Sequence, residues 1–155
     1  MNRGSSSLLP ALVLALVAAL PSPLGAASPS GEAPGLDGSE QRAQNIDVIL
    51  LVDKSLSMVG AEGAVKRYLA GEVIGPLLVP GDRLIVETFY GKIDRLFGGT
   101  IRSEEDKAGI IRSLQALVAD GRFTDIGQAL DRAKADMDEF GAPERPKYVL
   151  LLTDE

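Results

Sequence analysis

The chain has 155 residues, 45% of them hydrophobic, a formal net charge of −6 and a sequence pI near 4.7, which allows one acidic globular domain with extensions and is too short for two ordinary ones. An acidic balance opposes non-specific binding to nucleic acid or anionic lipid, both of them negative. Cysteine and histidine are absent, so there is no disulfide framework, thiolate zinc site, cysteine nucleophile or histidine base, and any site must be built from oxygen ligands, which suit hard cations such as Mg²⁺, Mn²⁺ or Ca²⁺.

The chain opens with Arg3, an apolar run over residues 8–20, and the small residues Gly25 and Ala27. This order reads as a signal peptide over residues 1–27, cut after Ala27. The run falls short of the about twenty apolar residues a membrane helix needs, so the expected location is secreted or periplasmic, with membrane attachment only if the leader stays on as an uncleaved anchor. No cysteine follows the run and Arg3 stands alone, which excludes lipid attachment there and a twin-arginine signal. Residues 28–44 are rich in Ser, Gly, Pro, Glu and Gln without apolar periodicity, as in a flexible linker. The folded part runs over 45–155, starting at Asn45.

Residues 46–52 (IDVILLV) form a β-branched and leucine-rich run too short for a helix, the pattern of a strand covered on both faces. Residues 59–78 carry Val65, Leu69 and Val73 at helical spacing and stop before Pro80 and Gly81. Residues 82–90 (DRLIVETFY) and 92–97 (KIDRLF), separated by Gly91, read as a hairpin that supplies an antiparallel edge strand. Ser103 opens a helix over 103–118 with Glu105 and Asp106 in its first turn, and Asp120 and Gly121 end it. A second helix over 124–140 shows Ile126, Leu130, Ala133 and Met137 along one face before Gly141 and Pro143. Residues 148–152 form a last apolar strand. The order of elements points to an α/β fold with a doubly wound, mostly parallel open sheet, which places its ligands outside the carboxyl ends of the strands.

After the first strand stands Asp53-Lys54-Ser55-Leu56-Ser57, a D-x-S-x-S pattern that puts one carboxylate and two hydroxyls on a strand-to-helix turn. Taken alone it fits a turn and helix N-cap as well as a ligand set. Thr124, at a helix start, and Asp154, at the carboxyl end of the last strand, would reach the same point.

Here the chain resembles the von Willebrand factor type A (VWA) family. Its metal ion-dependent adhesion site combines D-x-S-x-S after the first strand, a Thr within T-x-x-G-x-A-L, and an Asp after an apolar strand. The matches are Asp53, Ser55 and Ser57; Thr124 within Thr124-Asp125-Ile126-Gly127-Gln128-Ala129-Leu130; and Asp154 after residues 148–153. The resemblance implies a Rossmann-like fold and a non-enzymatic, exported module. It would bind Mg²⁺ (or Mn²⁺ or Ca²⁺) through these five residues and, through the metal, an acidic side chain of a protein or peptide partner. Two other readings compete. A haloacid-dehalogenase-like phosphatase also places an Asp after its first strand and uses Mg²⁺, but it wants a second Asp where Ser55 stands. A VWA subunit assisting an ATPase in metal insertion or complex assembly is usually cytosolic, against the leader.

Some residues read more plainly. Asp125 suits a helix start, Asp47 an edge or cap, and Lys107, Arg112 and Arg132 solvated helix faces. Phe123 reads with the other aromatics as core or rim packing. Glu155 stands where the family usually has Gly, and further strand-helix units normally follow, so the expected domain is incomplete at its C-terminus, with residues 148–152 as a bare apolar edge.

Overall fold

A computed structural model of the chain describes residues 14–19 and 42–154. The rest of the expected leader and most of the expected linker lie outside the described residues. Arg42 is already held in the fold. Its guanidinium reaches Leu77 O at 2.8 Å and Asp82 Oδ2 at 2.5 Å. Asp82 is fully buried and also accepts from the backbone N–H groups of Val79 and Ile46 and from Asn45. Burial opposes its charge, but those donors outweigh it and hold its carboxyl below the usual range.

Five strands form one sheet: β1 (Leu14–Ala19), β2 (Asp47–Asp53), β3 (Arg83–Phe89), β4 (Ile93–Thr100) and β5 (Lys147–Thr153), in the order β1-β5-β2-β3-β4. β2 pairs parallel with both β3 and β5, and β4 runs antiparallel to β3 as the hairpin pattern predicts. The expected bare edge at residues 148–152 is not found, because β1 pairs antiparallel with β5 from Leu14 opposite Thr153 to Ala19 opposite Tyr148. A backbone ladder that would otherwise be left open takes the nearest extended segment able to satisfy it.

β2 is buried along its whole length. Its alternate side chains serve two cores, as the period-two geometry of a strand requires. Val48, Leu50 and Val52 meet Val65, Leu69, Ile110 and Leu114 on one face; Ile49 and Leu51 meet Ala129, Ala133 and Met137 on the other. The first face is covered by α1 (Glu62–Tyr68) and α2 (Glu104–Gln115), the second by α3 (Ile126–Phe140). The helix expected over 59–78 is broken up: Leu56–Met58 forms a 3-10 turn, α1 starts only at Glu62, and Leu69–Ile74 continues as a π-helix. Ser103 caps α2 by accepting from Asp106 N, as its sequence position suggests.

Two charged residues depart from the solvated faces expected of them. Lys107 is buried, and its ammonium donates to Gly75 O at 3.0 Å and pairs with Glu104 at 2.8 Å. Arg132, half-exposed, lies over two buried carboxylates, Glu87 and Asp136. Among the described residues no helix is long and apolar enough to cross a membrane.

Candidate functional site

The carboxyl ends of β2 and β5 lie side by side, because these strands are parallel neighbours, and this adjacency brings Asp53 and Asp154 to one place although about a hundred residues separate them in the chain. Asp53 is buried with both carboxylate oxygens engaged. Oδ1 accepts from Ser55 N at 2.7 Å and Oδ2 from the Thr153 hydroxyl at 2.8 Å. The first contact is an Asx turn, which bends the chain out of β2 and aims the next side chains at the same point. Ser55 Oγ and Ser57 Oγ are 2.8 Å apart, and Ser57 Oγ donates to Asp154 Oδ1 at 3.0 Å. Ser55, Ser57 and Asp154 therefore form one hydrogen-bonded run of side-chain oxygens, which Asp53 joins through the Ser55 backbone N–H, so that four of the five residues expected from the sequence are brought together.

Thr124 belongs to a neighbouring loop and makes no hydrogen bond to that cluster among the described residues. Its loop is nonetheless stitched to the site. Gly121 pairs with Ser55 in an isolated parallel bridge, Leu56 N donates to Gly121 O at 2.7 Å, and the N–H groups of Asp120 and Gly121 both donate to Lys54 O. Glu62, at the start of α1, accepts from Ala119 N at 3.0 Å. Lys54 N in turn donates to Phe89 O at the end of β3. Asp125 is the N-cap of α3, accepting from Gln128 N at 2.9 Å, which is the helix-start role its position suggests.

Asp47 is neither an exposed edge nor a cap. It is buried at the far end of β2 and accepts from Ala142 N at 2.6 Å, tying down the segment after α3. A cleft of about 410 Å³ lies at that far end, lined by Asp47, Arg83, Arg95, Asp136 and Phe140. This recess and the oxygen cluster are thus at opposite ends of the strands.

Thr153 and Gly121 are the contributors that sequence patterns pass over. Thr153 reads as one more strand residue, yet its hydroxyl fixes Asp53. Gly121 reads as a helix stop, yet a Cβ there would stand 2.1 Å from Tyr90 Cβ. The second carried a usable signal, since glycine inside a structured loop often marks close backbone approach.

The profile of the von Willebrand factor type A domain matches residues 48–155. A protein of Treponema pallidum (strain Nichols) is 35% identical over 116 residues, covering 74% of this chain and 52% of the relative, so the chain spans about half that relative's length. Among solved structures, a von Willebrand factor type A protein from Catenulispora acidiphila aligns with TM-score 0.57 at 21% identity, over 68% of this chain and 25% of that one. Three N-terminal domains of the type V pili tip protein Mfa5 from Porphyromonas gingivalis align with TM-score 0.50 at 18% identity, over 96% of this chain and 27% of that one. At these identities the solved structures bear on the fold. Profile and fold agree: the chain belongs to the von Willebrand factor type A domain family, whose members are generally non-enzymatic modules of protein–protein interaction.

Proposed function

We propose that this chain is an exported, metal ion-dependent binding module in which Asp53, Ser55, Ser57, Thr124 and Asp154 hold a divalent cation that receives an acidic side chain of a protein or peptide partner. The observation that carries the reading is the spacing of the oxygen cluster. Neighbouring ligands in an octahedron of about 2.1 Å radius stand about 3.0 Å apart, and the Ser55–Ser57 and Ser57–Asp154 oxygens stand 2.8 and 3.0 Å apart. Hydroxyls and carboxylates without nitrogen or sulfur form a donor set for Mg²⁺, with Mn²⁺ or Ca²⁺ as substitutes.

The chain's own part is preorganisation. Asp53 is fixed by Ser55 N and Thr153, so its charge cannot swing away from the cluster. Ser57 is exposed and Asp154 half-buried, which leaves the outer side of the cluster open to a partner. A bound cation would supply net positive charge there, and so attraction for a carboxylate. Thr124 enters as a ligand through its loop's attachment at Gly121. The leader over residues 1–27 supports a location outside the cytoplasm.

Mg²⁺ itself is the probe. Thermal melts of the parent chain should rise with added Mg²⁺, since a ligand that binds only the folded state stabilises it by mass action. Asp53→Ala should abolish that rise, and Ser57→Ala should weaken the apparent affinity about tenfold, roughly the cost of one lost charge-assisted contact. Circular dichroism should show both variants folded. An identical Mg²⁺-induced shift in parent and Asp53→Ala would sink the reading.

A further inference from the structure

Three residues on the two loops around the oxygen cluster are the most exposed large apolar side chains among the described residues: Phe123 at 73%, Val59 at 65% and Val118 at 62%. Leu56, between the two cluster serines, is 53% exposed. Single exposed apolar residues need no explanation, but here they concentrate on one rim. The loops that carry them meet, since Leu56 N donates to Gly121 O at 2.7 Å and Ser55 pairs with Gly121. Phe123 in addition packs near the hairpin turn, where a Cβ on Gly91 would lie 3.5 Å from its own Cβ. Between Gly121 and Phe123 stands Arg122, exposed and without an ion pair among the described residues.

We infer that the partner segment read by this site is an acidic residue flanked by large apolar side chains. The inference rests on the metal-dependent reading above and adds its specificity. The cation and Arg122 attract the carboxylate, and Leu56 and Phe123 offer apolar surface to the residues on either side of it. A rim of this kind discriminates where the metal cannot. Any Glu or Asp satisfies the cation, but only a segment that also covers Phe123 and Leu56 removes their apolar surface from water. The occupant is thus another protein's extended acidic–apolar segment.

The test uses the full chain and synthetic peptides whose core is Phe-Glu-Leu, Ser-Glu-Ser or Phe-Gln-Leu, titrated in Mg²⁺ and in EDTA. Phe-Glu-Leu should bind in Mg²⁺ at least tenfold more tightly than Ser-Glu-Ser, and Phe-Gln-Leu should not bind measurably. Phe123→Ser and Leu56→Ser, both at exposed positions, should each bring the Phe-Glu-Leu affinity down about tenfold and leave that of Ser-Glu-Ser unchanged, with circular dichroism like that of the parent. Equal Mg²⁺-dependent affinities for Phe-Glu-Leu and Ser-Glu-Ser would overturn the specificity while leaving metal-dependent binding intact. Binding of Phe-Gln-Leu, or of Phe-Glu-Leu in EDTA, would overturn both. Adsorption of the chain to phosphatidylcholine vesicles, lost in Phe123→Ser, would assign the rim to a lipid surface and also overturn the proposal.

Discussion

Glu87 and Asp136 place two carboxyls together in a buried setting, each only 1% exposed, between β3 and α3. Arg95 from β4 bonds to both of them, and Arg132 from α3 reaches both from the solvent side. Burial pushes the Glu87 carboxyl up, with the neighbouring Asp136 adding to the rise and Arg95 only partly opposing it. Burial also works against Asp136, but Arg95, the hydrogen bond from Glu87 and Arg132 outweigh it and hold that carboxyl below the usual range. The two carboxyls thus titrate as a coupled pair, Glu87 raised and Asp136 lowered. The consequences for stability differ in sign. Glu87, raised above 4.5, stabilises the fold most below that value, and this contribution is lost as pH rises through its folded value; Asp136, lowered from 3.8, stabilises above that value and loses its contribution as pH falls through the folded value. Glu87→Gln keeps a donor at this position and has no proton to lose. The variant should melt higher than the parent at pH 8, and the gap should shrink as pH falls through the raised folded value of Glu87, to be smallest below about 4.5. A gap of the same size at pH 4 and pH 8 would show that packing, not the titration of Glu87, governs this cluster.

At the scale of elements, the site depends on one close approach. The segment carrying Gly121 passes so near the end of β3 that a Cβ would meet Tyr90 Cβ at 2.1 Å and Cγ at 2.6 Å. The neighbouring atom is the root of a side chain, so it cannot swing aside. Gly121→Ala should therefore destabilise the fold by about 1–3 kcal/mol, the usual cost of overpacking. It should also weaken Mg²⁺ binding beyond that loss, because the Ser55–Gly121 bridge moves with it. Gly127 makes the contrast. It lies in the exposed first turn of α3, where a Cβ would stand 3.5 Å from the Asp125 carboxylate. Gly127→Ala should be neutral or stabilising by up to about 1 kcal/mol, since alanine is the better helix former. Urea melts of the two variants side by side decide it, and equal effects would refute the role given to the approach at Tyr90.

Across the whole molecule, the sheet is closed on its β5 side by a strand from residues 14–19 and on the other side by the hairpin strand β4. The leader reading and this pairing make competing use of the same residues. If cleavage after Ala27 removes β1, the six-residue ladder along β5 is open to a strand from another chain. A chain of residues 28–155 should therefore self-associate at concentrations where the 155-residue chain elutes as a monomer, and Val17→Pro in the longer chain should shift it the same way by removing a ladder hydrogen bond. Size-exclusion chromatography with light scattering checks both. Monomers in all three cases would show that the β5 edge recruits nothing.

Local chemistry decided much of this by itself. The run IDVILLV could only be a strand covered on both faces, and β2 is one; Ser103 and Asp125 had the side chains and positions of helix caps, and both act as caps. The proximity of Asp53, Ser55, Ser57 and Asp154 was legible because each stands at the end of a strand or in the turn that follows, where sheet geometry gathers side chains. Other features required the packed chain. The break in the helix expected over 59–78 follows from fitting Leu69, Val73 and Ile74 into the core, which periodicity alone does not encode. Lys107 and Arg132 looked solvated because helical spacing says which face a side chain occupies but not which carbonyl or carboxylate the neighbouring element brings to it. Phe123 looked like packing because it is aromatic, and only the loop's path leaves it in water. Short-range rules act through backbone and neighbouring side chains and can be read from the sequence, whereas contacts such as Thr153 with Asp53, Gly121 with Tyr90 and Glu87 with Asp136 join distant segments and exist only once the sheet has formed.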